Sequence, residues 1–242
     1  MKNTDRLYNK TIKNISNFNF DDKVANVFEN MIQRSVPGYN LITHMTGVLA
    51  QNFVKPDTNC YDLGCSLGSS TLAILKNANK KNYKIIAVDN SEAMIKKCKK
   101  NIKQSNSNIP VEIILSNIED IEIKKASFVL LNFTLQFLKP EKRLNLIKKI
   151  YNGMLPGALF ILSEKISFQD KKEEEHQTKM YHMFKKSNGY NDLEISQKRT
   201  ALENVLIRES LESHFNRLKK AGFSDYYLWF QCLNFCSMIA IK

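Results

Sequence analysis

Five short apolar runs alternate with helix-patterned segments between residues 59 and 165, and this alternation limits the chain's fold more than any other feature. The runs are NCYDL (59–63), KIIAVDNS (84–91), VEIILSN (111–117), ASFVLLNF (126–133) and GALFILSEK (157–165). ASFVLLNF is almost wholly apolar, as strands buried on both faces of a parallel sheet are. Helical segments lie at 69–77, 92–103 and 140–155. Strands that alternate with helices predict an α/β fold: a parallel sheet with helices on both faces.

The flanks extend this plan. In FDDKVANVFENMIQRSVPGY, aspartates suited to capping precede Val24, Val27, Phe28 and Met31 at helical spacing, and Pro37–Gly38 ends the helix. A second helix, YNLITHMTGVLAQNFV, stops before Pro56. These N-terminal helices occupy 18–55. Residues 167–218 are mostly polar with helical spacing, which predicts a helical insertion after the fifth strand; its charged run KKEEEHQTK is expected to be a solvated face. YYLWFQCLNFCSMIAIK then gives two strand-like runs around Leu233–Asn234. A terminal antiparallel hairpin on a five-stranded parallel sheet is the Rossmann-like, seven-stranded arrangement of S-adenosylmethionine (SAM) dependent methyltransferases. No repeat or linker divides the sequence, so 1–242 is expected to form one SAM-binding domain.

Composition narrows the function. Of the 242 residues 43% are apolar and 25% charged, which predicts a soluble globular protein. No apolar run approaches the ~18 residues that cross a membrane. The start, MKNTDRLYNK, lacks the apolar core of a signal peptide, and a cytoplasmic location is expected. The five cysteines include no C-x-x-C pair and the four histidines no metal-ligand spacing, so no metal is expected. The net charge is +12, but only six of the 36 basic residues are Arg and the charge is diffuse. Direct tRNA binding is therefore not expected, since RNA-reading surfaces use Arg and exposed aromatics.

The stretch YDLGCSLGSST (61–71) joins the first strand to the next helix. Such a turn presents free backbone N–H groups, and glycine allows close ligand approach. Dinucleotide sites use three glycines to seat a pyrophosphate. Here only Gly64 and Gly68 are present, which suits SAM, a ligand without phosphate. Asp89 ends the second strand 25 residues after Gly64. A carboxylate at that place accepts hydrogen bonds from ribose hydroxyls; capping the helix at Glu92 is its competing role. Asn117, Ile118 and Asn132 end the third and fourth strands at the same crevice. Asn117 is expected to bond adenine and Ile118 to pack on its face, while periodicity does not separate Asn132 from a structural amide.

The blocks MIQRSVPGY, YDLGCS, IIAVDNS, LNFTLQFL, LSEK, SNGY, LEISQKRTALENV and LWFQCLNF, in this order from about residue 18 to the end, resemble the carboxy-S-adenosylmethionine synthases. The resemblance implies a homodimer that converts SAM and prephenate to carboxy-SAM and phenylpyruvate. A separate enzyme then uses carboxy-SAM to carboxymethylate the tRNA wobble uridine. It implies SAM-binding roles for Tyr39, Gly64, Cys65, Ser66, Asp89, Asn90, Ile118, Asn132 and Arg199. The family usually has aspartate at the adenine-contacting position held here by Asn117; an asparagine oriented oxygen-first still accepts. Arg199 is implied to grip the new carboxylate through two parallel N–H bonds, which lysine cannot do. No protein base is assigned, because prephenate can supply both carbon dioxide and hydroxide. From the residues alone, Arg199 reads first as a surface arginine paired with Glu194 or Glu203 across a helix turn, and the resemblance reverses that reading. Arg34 and the insertion are the candidates for prephenate contacts. An ordinary SAM-dependent methyltransferase acting on a small molecule or RNA is the alternative, sharing the loop, Asp89 and the fold.

Overall fold

The computed structural model describes residues 4–78 and 81–242. Its centre is a seven-stranded sheet of β1 (Asn59–Leu63), β2 (Lys84–Asp89), β3 (Val111–Leu115), β4 (Ala126–Asn132), β5 (Met154–Lys165), β6 (Asp225–Cys232) and β7 (Phe235–Ile241). The spatial order is β3-β2-β1-β4-β5-β7-β6. β1 to β5 pair in parallel, and β7 lies antiparallel to both β5 and β6. This is the expected class I methyltransferase arrangement.

The helices are α1 (Asp22–Ser35), α2 (Tyr39–Phe53), α3 (Ser69–Asn77), α4 (Glu92–Gln104), α5 (Pro140–Gly153), α6 (Lys171–Ser187), α7 (Asp192–Leu202) and α8 (Leu211–Ala221). Asp21 caps α1 by accepting from the Val24 N–H. Ser91 caps α4 through the Met94 N–H. α8 packs on α5 and leads into β6, so it belongs to the layer beneath the sheet. Of the stretch 167–218, it is α6 and α7 that stand over the strand ends.

Several element boundaries differ by one to three residues from the sequence expectation, β2 ending at Asp89, β4 at Asn132 and α5 at Gly153. β5 begins at Met154 rather than 157, because Met154 pairs with Ala126 and the ladder resumes at Leu159–Phe128. The intervening Pro156–Gly157 kink, with Gly157 at φ 74°, is absorbed as an irregularity. β3 stops at Leu115, before the Ser116–Asn117 turn.

Apolar clusters fill both faces of the sheet. One, with Leu63, Val88, Leu131, Phe160 and Met238, packs under α5 and α8. The other, with Ile74, Ile85, Phe128 and Ile161, packs under α2 and α3. The N-terminal segment adds a third around Phe18, Met31 and Met94, and it wraps α7: Gln197 accepts from the Ile12 N–H and donates to the carbonyls of Tyr8 and Lys10. Among the described residues no helix is long and apolar enough to cross a membrane.

α2 and α3 touch at Gly47, where an added Cβ would lie 2.5 Å from the Ala73 carbonyl oxygen. Alanine would gain roughly 1 kcal/mol of helix propensity. Overpacking against fixed backbone costs about 1–3 kcal/mol, and it wins here. Gly47→Ala should therefore lower the denaturant midpoint by chemical unfolding.

Candidate active site

The carboxyl ends of β1, β2, β4 and β5 open into a cavity of about 920 Å³, roofed by α1, α6 and α7. All ten residues singled out from the sequence, Tyr39, Gly64, Cys65, Ser66, Asp89, Asn90, Asn117, Ile118, Asn132 and Arg199, line it. The β1–α3 loop forms its floor. Gly64 has φ 83° and leaves no room for a Cβ, which would meet Thr134 Oγ1 at 2.2 Å. The Gly64 and Cys65 N–H groups both donate to the Val88 carbonyl, at 2.8 and 2.9 Å. Ser66 is held at φ 49°, a strained conformation for a non-glycine residue.

Asp89 locks that loop to the next helix. Its Oδ2 accepts from the Ser66 N–H at 2.8 Å and its Oδ1 from the Ser91 N–H at 2.9 Å. Burial pushes its pKa upward against these hydrogen bonds. The helix cap itself is Ser91, so Asp89 retains lone pairs toward the cavity. A second carboxylate, Asp62, escaped the sequence reading although it sits inside YDLGCS. It is buried and accepts from Thr71 N at 3.1 Å and Thr71 Oγ1 at 2.6 Å, tying β1 to α3; burial raises it to about 6.

The strand-end amides have partners. Asn117 accepts from Asn90 Nδ2 at 3.1 Å and donates to Asp120 at 3.3 Å. Asp120 thus takes one N–H of the amide, and Oδ1 keeps a second lone pair beside the bond from Asn90. Asn132 donates to Ser70 Oγ and accepts from Ser163 Oγ, so both ends of its amide also serve the fold.

Arg199 does not pair with either glutamate considered from sequence. Glu194 forms a capping box with Asn191, and no ion pair to Arg199 exists among the described residues. Arg34 is outside the cavity wall, contrary to expectation. It donates to the carbonyls of Asn188 and Asp5 and lies 3.9 Å from the Tyr190 ring centroid, clamping α1 to the insertion and the N-terminal segment.

The insertion does reach the cavity. Glu174, Thr178, Tyr181, His182 and Lys185 follow one face of α6 and line it, although the charged run that opens α6 is mostly solvated as expected. Lys165, at the end of β5, completes this half. Its backbone N–H donates to Gln136 Oε1. Beneath, fully buried Arg143 pairs with Glu209 and donates to the carbonyls of Gln136, Leu138 and Ile207, fixing the chain next to Arg208. Burial and neighbouring cations push Lys165 down to about 7 and Lys185 down to about 8. His182 is lowered by burial and by Lys185, Arg199 and Lys165. Lys165 was readable as a strand-end residue; Tyr181 and Lys185 left no sequence signal beyond helical spacing. Among the described residues no cluster of three or more His, Cys, Asp or Glu is placed to hold a metal.

A glycine loop at the β1 end, a carboxylate at the β2 end and a parallel sheet with a terminal hairpin define a SAM-binding protein of the class I methyltransferase fold. Residues 61–157 match the methyltransferase domain family. A solved structure of a putative S-adenosyl-L-methionine-dependent methyltransferase from Methanococcus maripaludis superposes with a TM-score of 0.60 at 22% identity, covering 96% of this chain and 97% of that one. Over 242 residues the chain is 51% identical to the carboxy-S-adenosyl-L-methionine synthase of Salmonella paratyphi C (strain RKS4594), and 52% to that of Escherichia coli O1:K1 / APEC. Both alignments cover the whole chain and 98% of the relative. The chain belongs to the carboxy-S-adenosyl-L-methionine synthase family. It is accordingly a transferase, with SAM as a substrate.

The lowered lysines carry a stability consequence. Lys165 binds its proton more weakly in the folded chain than in the unfolded one, so between about pH 7 and the ordinary lysine range its contribution to stability rises with pH. Lys165→Met should raise the melting temperature of the ligand-free protein at pH 7, and the gain should shrink toward pH 10. Differential scanning calorimetry across that range measures both.

Proposed function

We propose that the protein converts SAM and prephenate to carboxy-SAM and phenylpyruvate, supplying carboxy-SAM to a separate enzyme that carboxymethylates the tRNA wobble uridine. The proposal includes a homodimer working in the cytoplasm. The observation that carries the reaction is the placement of Arg199 on the wall of the cavity that also holds Gly64–Ser66 and Asp89.

The atoms balance without a protein base. Prephenate loses its ring carboxyl as carbon dioxide and its hydroxyl as hydroxide while its ring becomes aromatic. Hydroxide removes a proton from the sulfonium methyl, giving water, and the carbanion adds to carbon dioxide, giving the carboxymethyl group. The chain's task is then to hold the reactants together and keep bulk water out. Asp89 and the Gly64–Ser66 loop anchor the nucleoside and amino acid parts. Arg199 is set to grip the carboxylate as it forms, and among the described residues it forms no ion pair with a protein carboxylate. The aromatic wall from Tyr39 through Phe133 to Phe235 encloses the reacting groups, with centroids 6.5 and 6.0 Å apart.

Incubation with SAM, with and without prephenate, followed by mass analysis of the nucleoside tests the reading. The expected product is SAM heavier by one carbon dioxide, formed only with prephenate. S-adenosylhomocysteine release without prephenate would mean methyl transfer instead. Arg199→Ala should bind SAM normally yet lose most carboxy-SAM formation, and Arg199→Lys should recover little of it. An unchanged yield in Arg199→Ala would remove that residue from the reaction.

A further inference from the structure

The insertion half of the cavity carries positive charge that the protein does not neutralise. Lys165, Lys185 and Arg199 all line it, and none forms an ion pair among the described residues. Two of the nearby carboxylates are committed elsewhere. Glu174 pairs with Arg208 at 2.6 Å and accepts from the Phe168 N–H at 3.0 Å. Asp5 accepts from Tyr190 and stands 3.8 Å from Lys198. The downward shifts of Lys165, Lys185 and His182 share one cause beyond burial, the field of neighbouring cations.

Three unpaired cations in one cavity are costly unless a ligand supplies the counter-charge. SAM does not: its ammonium and sulfonium outweigh its carboxylate, so it adds positive charge. The missing negative charge belongs to the other substrate. The geometry around the lysines also states its shape. Both ammonium groups stand over the Tyr181 ring, each 4.5 Å from its centroid. Lys165 lies 5.6 Å from the Phe235 centroid, and the Phe235 and Tyr181 rings are 5.2 Å apart. Tyr181 is fixed by its hydroxyl, which donates to the Ser35 carbonyl at 2.9 Å. The surface is therefore rigid, aromatic and cationic.

We infer that Lys165 and Lys185, set on the Tyr181–Phe235 rings beside Arg199, form the subsite that selects a ring-bearing dicarboxylate as second substrate. The inference rests on the reaction proposed above, in which that substrate is prephenate. The ammonium groups take carboxylate, and the rings pack on the cyclohexadiene. The same subsite favours turnover. Prephenate enters as a dianion and phenylpyruvate leaves as a monoanion, so the electrostatic hold weakens once the ring carboxyl has gone. It also sets the order of preference among anions: two carboxylates on a ring above one.

Steady-state kinetics of Lys165→Gln and Lys185→Gln test the subsite. Each should raise KM for prephenate by about tenfold or more, because a charge-assisted contact is lost. KM for SAM should stay within about twofold. Lys165→Arg, which keeps the charge, should recover much of the prephenate affinity. Inhibition by phenylpyruvate should weaken less than prephenate KM rises. Folding is not the obstacle, since removal of an unpaired cation relieves repulsion, and thermal melting monitors it. Normal carboxy-SAM formation with unchanged prephenate KM in both variants would overturn the subsite and leave the reaction standing. If the wild type binds prephenate calorimetrically beside S-adenosylhomocysteine but makes no carboxy-SAM, the reaction falls; loss of that binding in the variants then supports the subsite, and its retention overturns it. No binding to the wild type overturns both.

Discussion

Parallel pairing of β1 with β2 on one side and β4 on the other is the constraint on which the site depends. It brings the carboxyl ends of the strands to one edge and opens a crevice where the strand order reverses. The turns that follow these strands then border one space. The glycine loop, Asp89, the Asn117–Ile118 turn, Asn132 and Lys165 meet there because of sheet direction, although they are spread over a hundred residues of sequence. Asp89 turns this topology into a rigid floor by holding the N–H groups of Ser66 and Ser91 together.

The floor is common to SAM-binding proteins of this fold; the roof differentiates this one. α6 and α7 add Tyr181, Lys185 and Arg199, and β5 adds Lys165 from below. The N-terminal segment braces the roof through Gln197 and through the buried set of Asp5, Tyr190 and Lys198. The result is a cavity in which positive charge is kept unpaired at a cost to the free protein. On the proposed reading, this balance suits an anion with more than one charge better than a neutral methyl acceptor.

Much of the floor was legible in the sequence, because short apolar runs alternating with helical spacing, and glycine spacing, are local signals. The turn YDLGCSLG and the strand-end Asp89 stand where the pattern puts them. Arg199 was not legible by periodicity: its helix position pairs equally well with Glu194 or Glu203, and only the resemblance singled it out. In the fold Glu194 is taken up by the capping box with Asn191, and Glu203 forms no ion pair among the described residues. Arg34 went the other way, because its partners, the Asp5 and Asn188 carbonyls, are far apart in sequence. Lys165 sat at a strand end yet showed no contrast in a chain so rich in lysine. Its significance depends on which carboxylates are absent around it, a property of the folded cavity alone.

The central claim is that one cavity moves a carboxyl group from prephenate to the methyl carbon of SAM without releasing it. The most direct measurement uses prephenate carrying carbon-13 in its ring carboxyl, in buffer equilibrated with unlabelled bicarbonate. The account predicts carboxy-SAM labelled nearly completely at the new carboxylate. Carboxy-SAM carrying mostly unlabelled carbon, or methyl transfer with no carboxy-SAM at all, would contradict it.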